Sequence, residues 1–176
     1  GGDNIEGGRL AAEHLLAQGR ARIAFLGDPE LPEVAQRWQG HVQALARVGL
    51  QPDPQLLLRV PFDSTRAAQA LAALLDAGTR FDAVQACSDL LALTAIQVLR
   101  ARGLQVPADV AVIGFDDMPV AALANPPLST IHQPVPQAGA ALVESLMALL
   151  DGQEPPHRTL PVHLVERRSS RLTASA

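Results

Sequence analysis

Val110-Ala111-Val112-Ile113-Gly114-Phe115-Asp116-Asp117 is the stretch that decides the fold. Its apolar run has no polar alternation, so it reads as a strand covered on both faces, closed by a glycine and an acidic pair. The same grammar recurs on either side. Arg22-Ile23-Ala24-Phe25-Leu26, Leu56-Leu57-Leu58-Arg59-Val60 and Ala83-Val84-Gln85-Ala86-Cys87 are earlier short apolar strands, while Ser129-Thr130-Ile131-His132 and residues 162–167 are later ones. Helical stretches separate them over residues 3–18, 33–48, 64–78, 89–102, 118–123 and 136–150, four of them stopped by Gly19, Gly49, Gly78 and Gly103. Asp3-Asn4-Ile5-Glu6 reads as a capping box with an acidic cap, and Ser64 as the cap of the third helix. Buried strands alternating with helices predict an α/β fold: a three-layer α/β/α arrangement around a doubly wound, mainly parallel sheet.

Composition narrows the function. The chain has 176 residues, 48% of them hydrophobic, long enough to bury ~70% of its unfolded surface without disulfides or metal. Its 14 positive charges, all arginine, stand against 18 acidic residues for a net charge of −4. That balance offers no footprint for gripping a phosphate backbone. Cys87 is the one cysteine, which excludes a disulfide framework and a multi-cysteine zinc site. Apolar runs such as residues 71–75 are too short to span a membrane. Gly1-Gly2-Asp3-Asn4 resembles neither a signal peptide nor an initiator start and reads as an internal cut.

In open parallel sheets, ligands bind beyond the carboxyl ends of the strands. Those ends carry Gly27-Asp28, Pro61-Phe62, Cys87-Ser88-Asp89, Phe115-Asp116-Asp117 and His132-Gln133, a polar, acidic, hydrogen-bonding set that includes the aromatic Phe62. There is no G-x-G-x-x-G after a strand, no P-loop, no G-x-S-x-G elbow and no H-E-x-x-H, so Rossmann cofactors and phosphoryl transfer are excluded as leading readings. Each residue also has a plainer role. Asp89 and one of Asp116 and Asp117 read as helix caps, Cys87 and Phe62 as core, and Arg37 beside Trp38 as a solvated arginine. His132 has no second histidine at ligand spacing. The two aspartates become an acid/base pair only if burial drives their pKa values apart.

Taken together, the motifs resemble the effector-binding domain of the lac repressor (LacI/GalR) family of bacterial transcription regulators. The resemblance is carried by Asp3-Asn4 through Gly7-Gly8, Ile23-Ala24-Phe25-Leu26-Gly27, Arg37-Trp38-Gln39-Gly40 and Cys87-Ser88-Asp89-Leu90-Leu91-Ala92-Leu93. It continues through residues 103–110, Val112-Ile113-Gly114-Phe115-Asp116-Asp117, residues 126–134 and Leu164-Val165-Glu166-Arg167-Arg168-Ser169, in order and over nearly the whole chain. The resemblance implies a periplasmic-binding-protein-like lobe of type I over residues 1–134. It further implies that residues 135–160 belong to an absent first lobe, that residues 161–176 form a return strand and polar tail, and that the DNA-binding domain is absent.

By the same resemblance, Arg37, Phe62, Ser88, Asp89, Asp116 and Gln133 contact the ligand, with Asp28 on the rim. Arg37 and Asp116 would clamp vicinal hydroxyls as forked donor and acceptor. The implied partners are a small-molecule effector, a sugar first, a second copy of the chain, and operator DNA reached only through the missing domain. The implied location is the cytoplasm, with no cofactor, metal, membrane or catalysis. Two positions depart from the family: Ser88 stands where asparagine is common, and His41 where an aromatic or aliphatic residue follows Gly40. Two other readings compete, a periplasmic sugar-binding protein for transport and a small α/β enzyme using Asp116 or Cys87.

Two helices carry more apolar surface than one sheet face can cover. Residues 90–99 have only Thr94 and Gln97 as polar interruptions, and the resemblance puts Leu90, Leu93, Ile96 and Gln97 in a dimer interface. Over 136–150, Ala138, Leu142 and Leu149 form one stripe, with Val143, Met147 and Leu150 forming another. This helix is expected to be poorly covered within one copy.

Overall fold

The computed structural model describes residues 1–155 and 159–172. The chain runs α1 (Asn4–Ala17), β1 (Ile23–Leu26), α2 (Pro32–Arg47), β2 (Leu57–Leu58), α3 (Ser64–Asp76), β3 (Ala83–Ala86), α4 (Asp89–Ala101), β4 (Ala111–Ile113), α5 (Pro119–Leu123), β5 (Thr130–His132), α6 (Val135–Leu150) and β6 (His163–Val165). Strands β2-β1-β3-β4 form a parallel sheet in that spatial order, with Ile23 beside Ala83 and Ala83 beside Ala111. Parallel bridges from Ile113 to Ser129 and from Asp116 to His132 bring β5 alongside β4, and β6 then pairs antiparallel with β5. The outcome is the expected three-layer α/β fold with an antiparallel outer strand.

Alternation along the strands divides the core. Ala24, Val84 and Val112 face the side covered by α3 and α4, where Leu71, Leu91 and Leu99 are fully buried. Ile23, Ala83, Ala111 and Ile113 face the side of α1, with Ala11, Leu15 and the α2 residue Leu45. Both faces of the sheet are thus removed from water, which is why its strands read as unbroken apolar runs.

Local capping differs from the sequence expectation at three helices. Asp63, not Ser64, caps α3, its carboxylate accepting the Arg66 N–H at 2.8 Å. Ser88, not Asp89, caps α4, its hydroxyl accepting the Leu91 N–H at 3.2 Å. Neither Asp116 nor Asp117 caps a helix, because α5 starts only at Pro119. The second strand is shorter than its leucine run, since Pro54 and the capping Asp53 draw Leu56 into a 3-10 turn. At α1 the cap is as expected, with Asp3 accepting the Glu6 N–H, while Glu6 itself turns to Arg9.

The return segment is no loose tail where it is described. Ser169 and Ser170 are fully buried. Ser169 donates to the Val112 carbonyl at 2.6 Å, and the Ser170 hydroxyl bonds His14 Nε2 at 2.6 Å. The last four tail residues and 156–158, inside the stretch expected to belong to another lobe, lie outside the described residues. Helix α6 is the exception to all this packing: none of its residues is buried, and Leu142 is 72% exposed.

Candidate functional site

Arg37 reaches the carboxyl edge of the sheet because two glycines let α1 and α2 nearly touch. A Cβ on Gly8 would lie 2.0 Å from the Arg37 carbonyl oxygen, and one on Gly40 2.0 Å from that of Ile5. Only glycine permits so close a crossing in a packed interior. It sets Arg37 against the start of α1, where its Nε donates to Asn4 Oδ1 at 2.8 Å. Nη1 donates to the Cys87 carbonyl at the end of β3, and the guanidinium carbon sits 3.8 Å from the Phe115 ring centroid. Phe115 occupies the space Gly7 leaves open, since a Cβ there would meet the ring at 2.6 Å. A charge laid on an aromatic face and tied by two acceptors is fixed in direction. Arg37 is only 6% exposed, and burial lowers its pKa against the opposing field of Asp116. Among the described residues its Nη2 makes no hydrogen bond.

The turn after β4 presents the acceptor. Asp116 and Asp117 both take positive φ, 110° and 56°, at a cost of about 1–3 kcal/mol each. The Asp116 carboxylate accepts the Gln133 Nε2–H at 2.7 Å. Burial raises its pKa, opposed by that hydrogen bond and by Arg37. Asp117 is spent on structure: it accepts from Arg167 Nη2 and from His132 Nδ1, each at 2.9 Å. Burial pushes the Asp117 pKa up, but these two partners outweigh it and hold the carboxyl below its ordinary range. The pair is therefore driven apart, with Asp117 locked into an ion pair and Asp116 held at the edge.

The other expected contacts divide. Asp89 is 0% exposed, with one carboxylate oxygen accepting from Thr130 Oγ1 at 2.6 Å and the other from the Met118 N–H at 2.7 Å. It lies beneath the edge and not on it, and burial pushes its pKa up to about 6. Ser88 is buried and spent on capping α4. Phe62, 44% exposed, stands out from the end of β2 and so belongs to the surface, not the core. Asp28 accepts the Glu30 N–H at 3.1 Å in a local turn and lies 3.9 Å from Arg59. Arg37, Asp116 and Gln133 are thus brought together, while Asp28 and Phe62 sit farther along the same edge.

Asn4, Phe115 and Thr130 escaped the sequence reading. The doublet Gly7-Gly8 was the available signal, since two glycines in one helix mark a surface that something approaches closely. His41 fills its unusual position as an aromatic would, stacked on Trp38 with ring centroids 5.1 Å apart and edge-on to Phe25. Its Nδ1 donates to Gln85 Oε1 at 2.7 Å, and burial lowers its pKa to about 4.

Cys87 is 2% exposed, and burial raises its thiol to about 12, so it carries no thiolate at neutral pH. No group of three metal-ligating side chains occurs among the described residues, and none of their helices is long and apolar enough to cross a membrane. On α4, Leu90 is half exposed, Leu93 half-buried and Gln97 exposed, whereas Ile96 is only 5% exposed and belongs to the core. These residues and Val120 line a surface cavity of about 450 Å³.

Comparison with known proteins agrees with this architecture. The periplasmic binding protein-like domain family matches residues 12–170. The HTH-type transcriptional regulator CelR of Thermobifida fusca is 39% identical over 170 residues, which is 95% of this chain and 50% of that protein. The HTH-type transcriptional repressor CytR of Escherichia coli K12 is 36% identical over 175 residues, covering 96% of this chain and 50% of the repressor. A solved CelR–cellobiose complex superposes with a TM-score of 0.91 at 38% identity, over 96% of this chain and 52% of that one. The chain spans about half the length of the curated relatives it matches, and those relatives are transcription regulators and not enzymes. The chain belongs to the periplasmic binding protein-like domain family, in the LacI-type branch of transcription regulators.

Proposed function

We propose that this chain is the effector-sensing part of a LacI-type regulator, in which a bound sugar alters operator binding by a separate helix-turn-helix region. The observation that carries this reading is the placement of Arg37 and Asp116, far apart in sequence, within each other's electrostatic reach at one edge of the sheet, with Arg37 laid on the Phe115 ring. Arg37 Nη2 is left to donate, and Asp116 and Gln133 offer an acceptor and an amide to adjacent hydroxyls. Phe62 and Asp28 extend the edge and supply an aromatic face and a rim carboxylate. Cellobiose bound to the similar CelR supports a sugar as the ligand class.

Further parts belong to the reading. Residues 1–134 form the second lobe of the sensing region. Helix α6 packs against a first lobe supplied by the longer protein, and β6 returns from it. Exposed Leu90 and Gln97 of α4, with half-buried Leu93 between them, meet a second copy. Operator binding places the whole in the cytoplasm.

Calorimetric titration of the regulator with cellobiose and related disaccharides tests the site. Asp116→Ala removes a charged partner from a ligand hydroxyl, worth ~1.5–3 kcal/mol, so affinity falls about ten- to a hundredfold. Melting of the unliganded protein stays nearly unchanged. A loss below about threefold, under ~1 kcal/mol, means that the sugar is bound elsewhere.

A further inference from the structure

We propose that Asp89 and Thr130 are positioning residues that hold the Asp116 carboxylate toward the ligand, acting from below the site without touching the ligand. This rests on the reading of Asp116 as a ligand acceptor, and it replaces direct contact as the role of Asp89.

The argument starts from the backbone. Asp116 and Asp117 are consecutive non-glycine residues at positive φ, a conformation that persists only where the surroundings enforce it. The amides of that turn need acceptors, and three are provided. The Asp116 N–H donates to the Ile131 carbonyl at 2.9 Å, which ties it to β5. The Asp117 N–H donates to Thr130 Oγ1 at 3.3 Å, and the Met118 N–H to Asp89 Oδ2 at 2.7 Å. Thr130 in turn donates its hydroxyl proton to Asp89 Oδ1 at 2.6 Å. One buried carboxylate therefore terminates two amides at the strained turn, that of Met118 directly and that of Asp117 through a hydroxyl relay.

The neighbourhood is shaped for this carboxylate. A Cβ on Gly114 would lie 2.3 Å from Asp89 Oδ1, so the strand end must be glycine for the carboxylate to come close. The Asp89 N–H itself donates to the Phe115 carbonyl at 2.8 Å, which joins the start of α4 to the residue before the turn. Asp89 makes no ion pair within the described residues. A buried, unpaired carboxylate is expensive unless strong donors offset its burial, so its retention for the Met118 N–H and the Thr130 hydroxyl points to orientation. What it orients is the turn bearing Asp116, whose carboxylate accepts from Gln133 beyond the end of β5.

Nuclear magnetic resonance on the unliganded 176-residue chain tests this with no sugar present, comparing Asp89→Ala, Asp89→Asn and Thr130→Val. The asparagine keeps an acceptor for Met118 and a donor for Thr130, whereas the alanine and valine variants break the relay. In Asp89→Ala the Met118 and Asp117 amides should exchange at least about tenfold faster while core amides of β1 and β3 stay protected. The Gln133 side-chain amide signals should move toward those of a free amide, and Asp89→Asn should restore both. Thr130→Val should release Asp117 and leave Met118 protected, and it serves if Asp89→Ala does not fold. Unchanged Gln133 signals in every folded variant, or uniform loss of protection across the core, would overturn the proposal. Failure of the wild-type chain to bind any sugar would instead count against the functional reading alone, because none of these signals depends on ligand.

Discussion

Helices α4 and α6 are nearly equal in apolar character and opposite in fate. Both carry leucines on more than one face, yet α4 buries Leu91, Ala92, Ala95, Ile96 and Leu99 against the sheet and α3, while α6 buries nothing. The difference is in neighbours, not in composition. A helix between two strands of one parallel sheet is laid onto that sheet by the crossover. Helix α6 instead leaves β5 at its end and returns into the antiparallel β6, so nothing in the connection presses it onto the main sheet. Apolar periodicity therefore announces that a face must be covered without saying by what.

The most direct way to break this comparison is to truncate one leucine on each helix. Leu99→Ala empties fully buried space and should cost about 2–5 kcal/mol in urea unfolding. Leu142→Ala should stay within about 0.5 kcal/mol in this chain, because the side chain touches mainly water. A large loss at Leu142 would mean that α6 is covered after all. In the longer protein proposed above the Leu142 cost should rise toward that of Leu99.

A smaller effect sharpens the picture of α4 itself. Its sheet-facing side is satisfied, but Leu90 and the neighbouring Val120 remain exposed around the cavity of about 450 Å³. Leu90→Arg should leave the melting temperature within a few degrees, as for a surface change, and convert a dimer into a monomer by light scattering. Leu90 is a cleaner choice than Leu93, which packs partly on the core. A dimer that survives Leu90→Arg assigns the contact to another face.

The same contrast explains what could be read from the sequence. The alternation of strands with helices and the layer assignment were legible because four apolar residues in a row and a closing glycine, as in Val110-Ala111-Val112-Ile113-Gly114, have one physical meaning between helices. The edge carrying Asp116 was legible too, since ligands of parallel sheets bind beyond the carboxyl ends of the strands, whereas Arg37, on α2, entered only through the family resemblance. What could not be read was which polar group faces outward. Asp89 and Asp116 each follow a strand in the same style, but one is sealed by Thr130 and Met118 and the other ends at Gln133. Ser88 and Asp89 both suit a cap, and only the helix geometry chose the serine. Phe115, read only as part of a strand end, is at once core and the floor under Arg37. These are facts of packing between distant segments, which no local pattern contains.

A pH-dependent effect sets two buried groups against each other. His41 has its pKa lowered from 6.5 to about 4 by burial, partly offset by Gln85, whereas Asp89 has its pKa raised from 3.8 to about 6 by burial, against Thr130 and Met118. The stability that His41 contributes is present above its unfolded pKa and is lost as pH falls toward about 4. The contribution of Asp89 has the opposite sense, present below the unfolded carboxylate value and lost as pH rises through about 6. Between these limits the unfolded chain takes up a proton on His41 while the native chain takes one up on Asp89. The two slopes, each up to ~1.4 kcal/mol per pH unit, then nearly cancel. Asp89→Asn deletes one of them. Unfolding free energies measured in urea at pH 4, 5 and 6 should then show the variant losing stability on acidification by about 1 kcal/mol per pH unit more than the wild type. His41→Phe should do the reverse, gaining relative stability over the same interval. Parallel pH profiles for wild type and both variants would mean that neither group is as strongly desolvated as its burial implies.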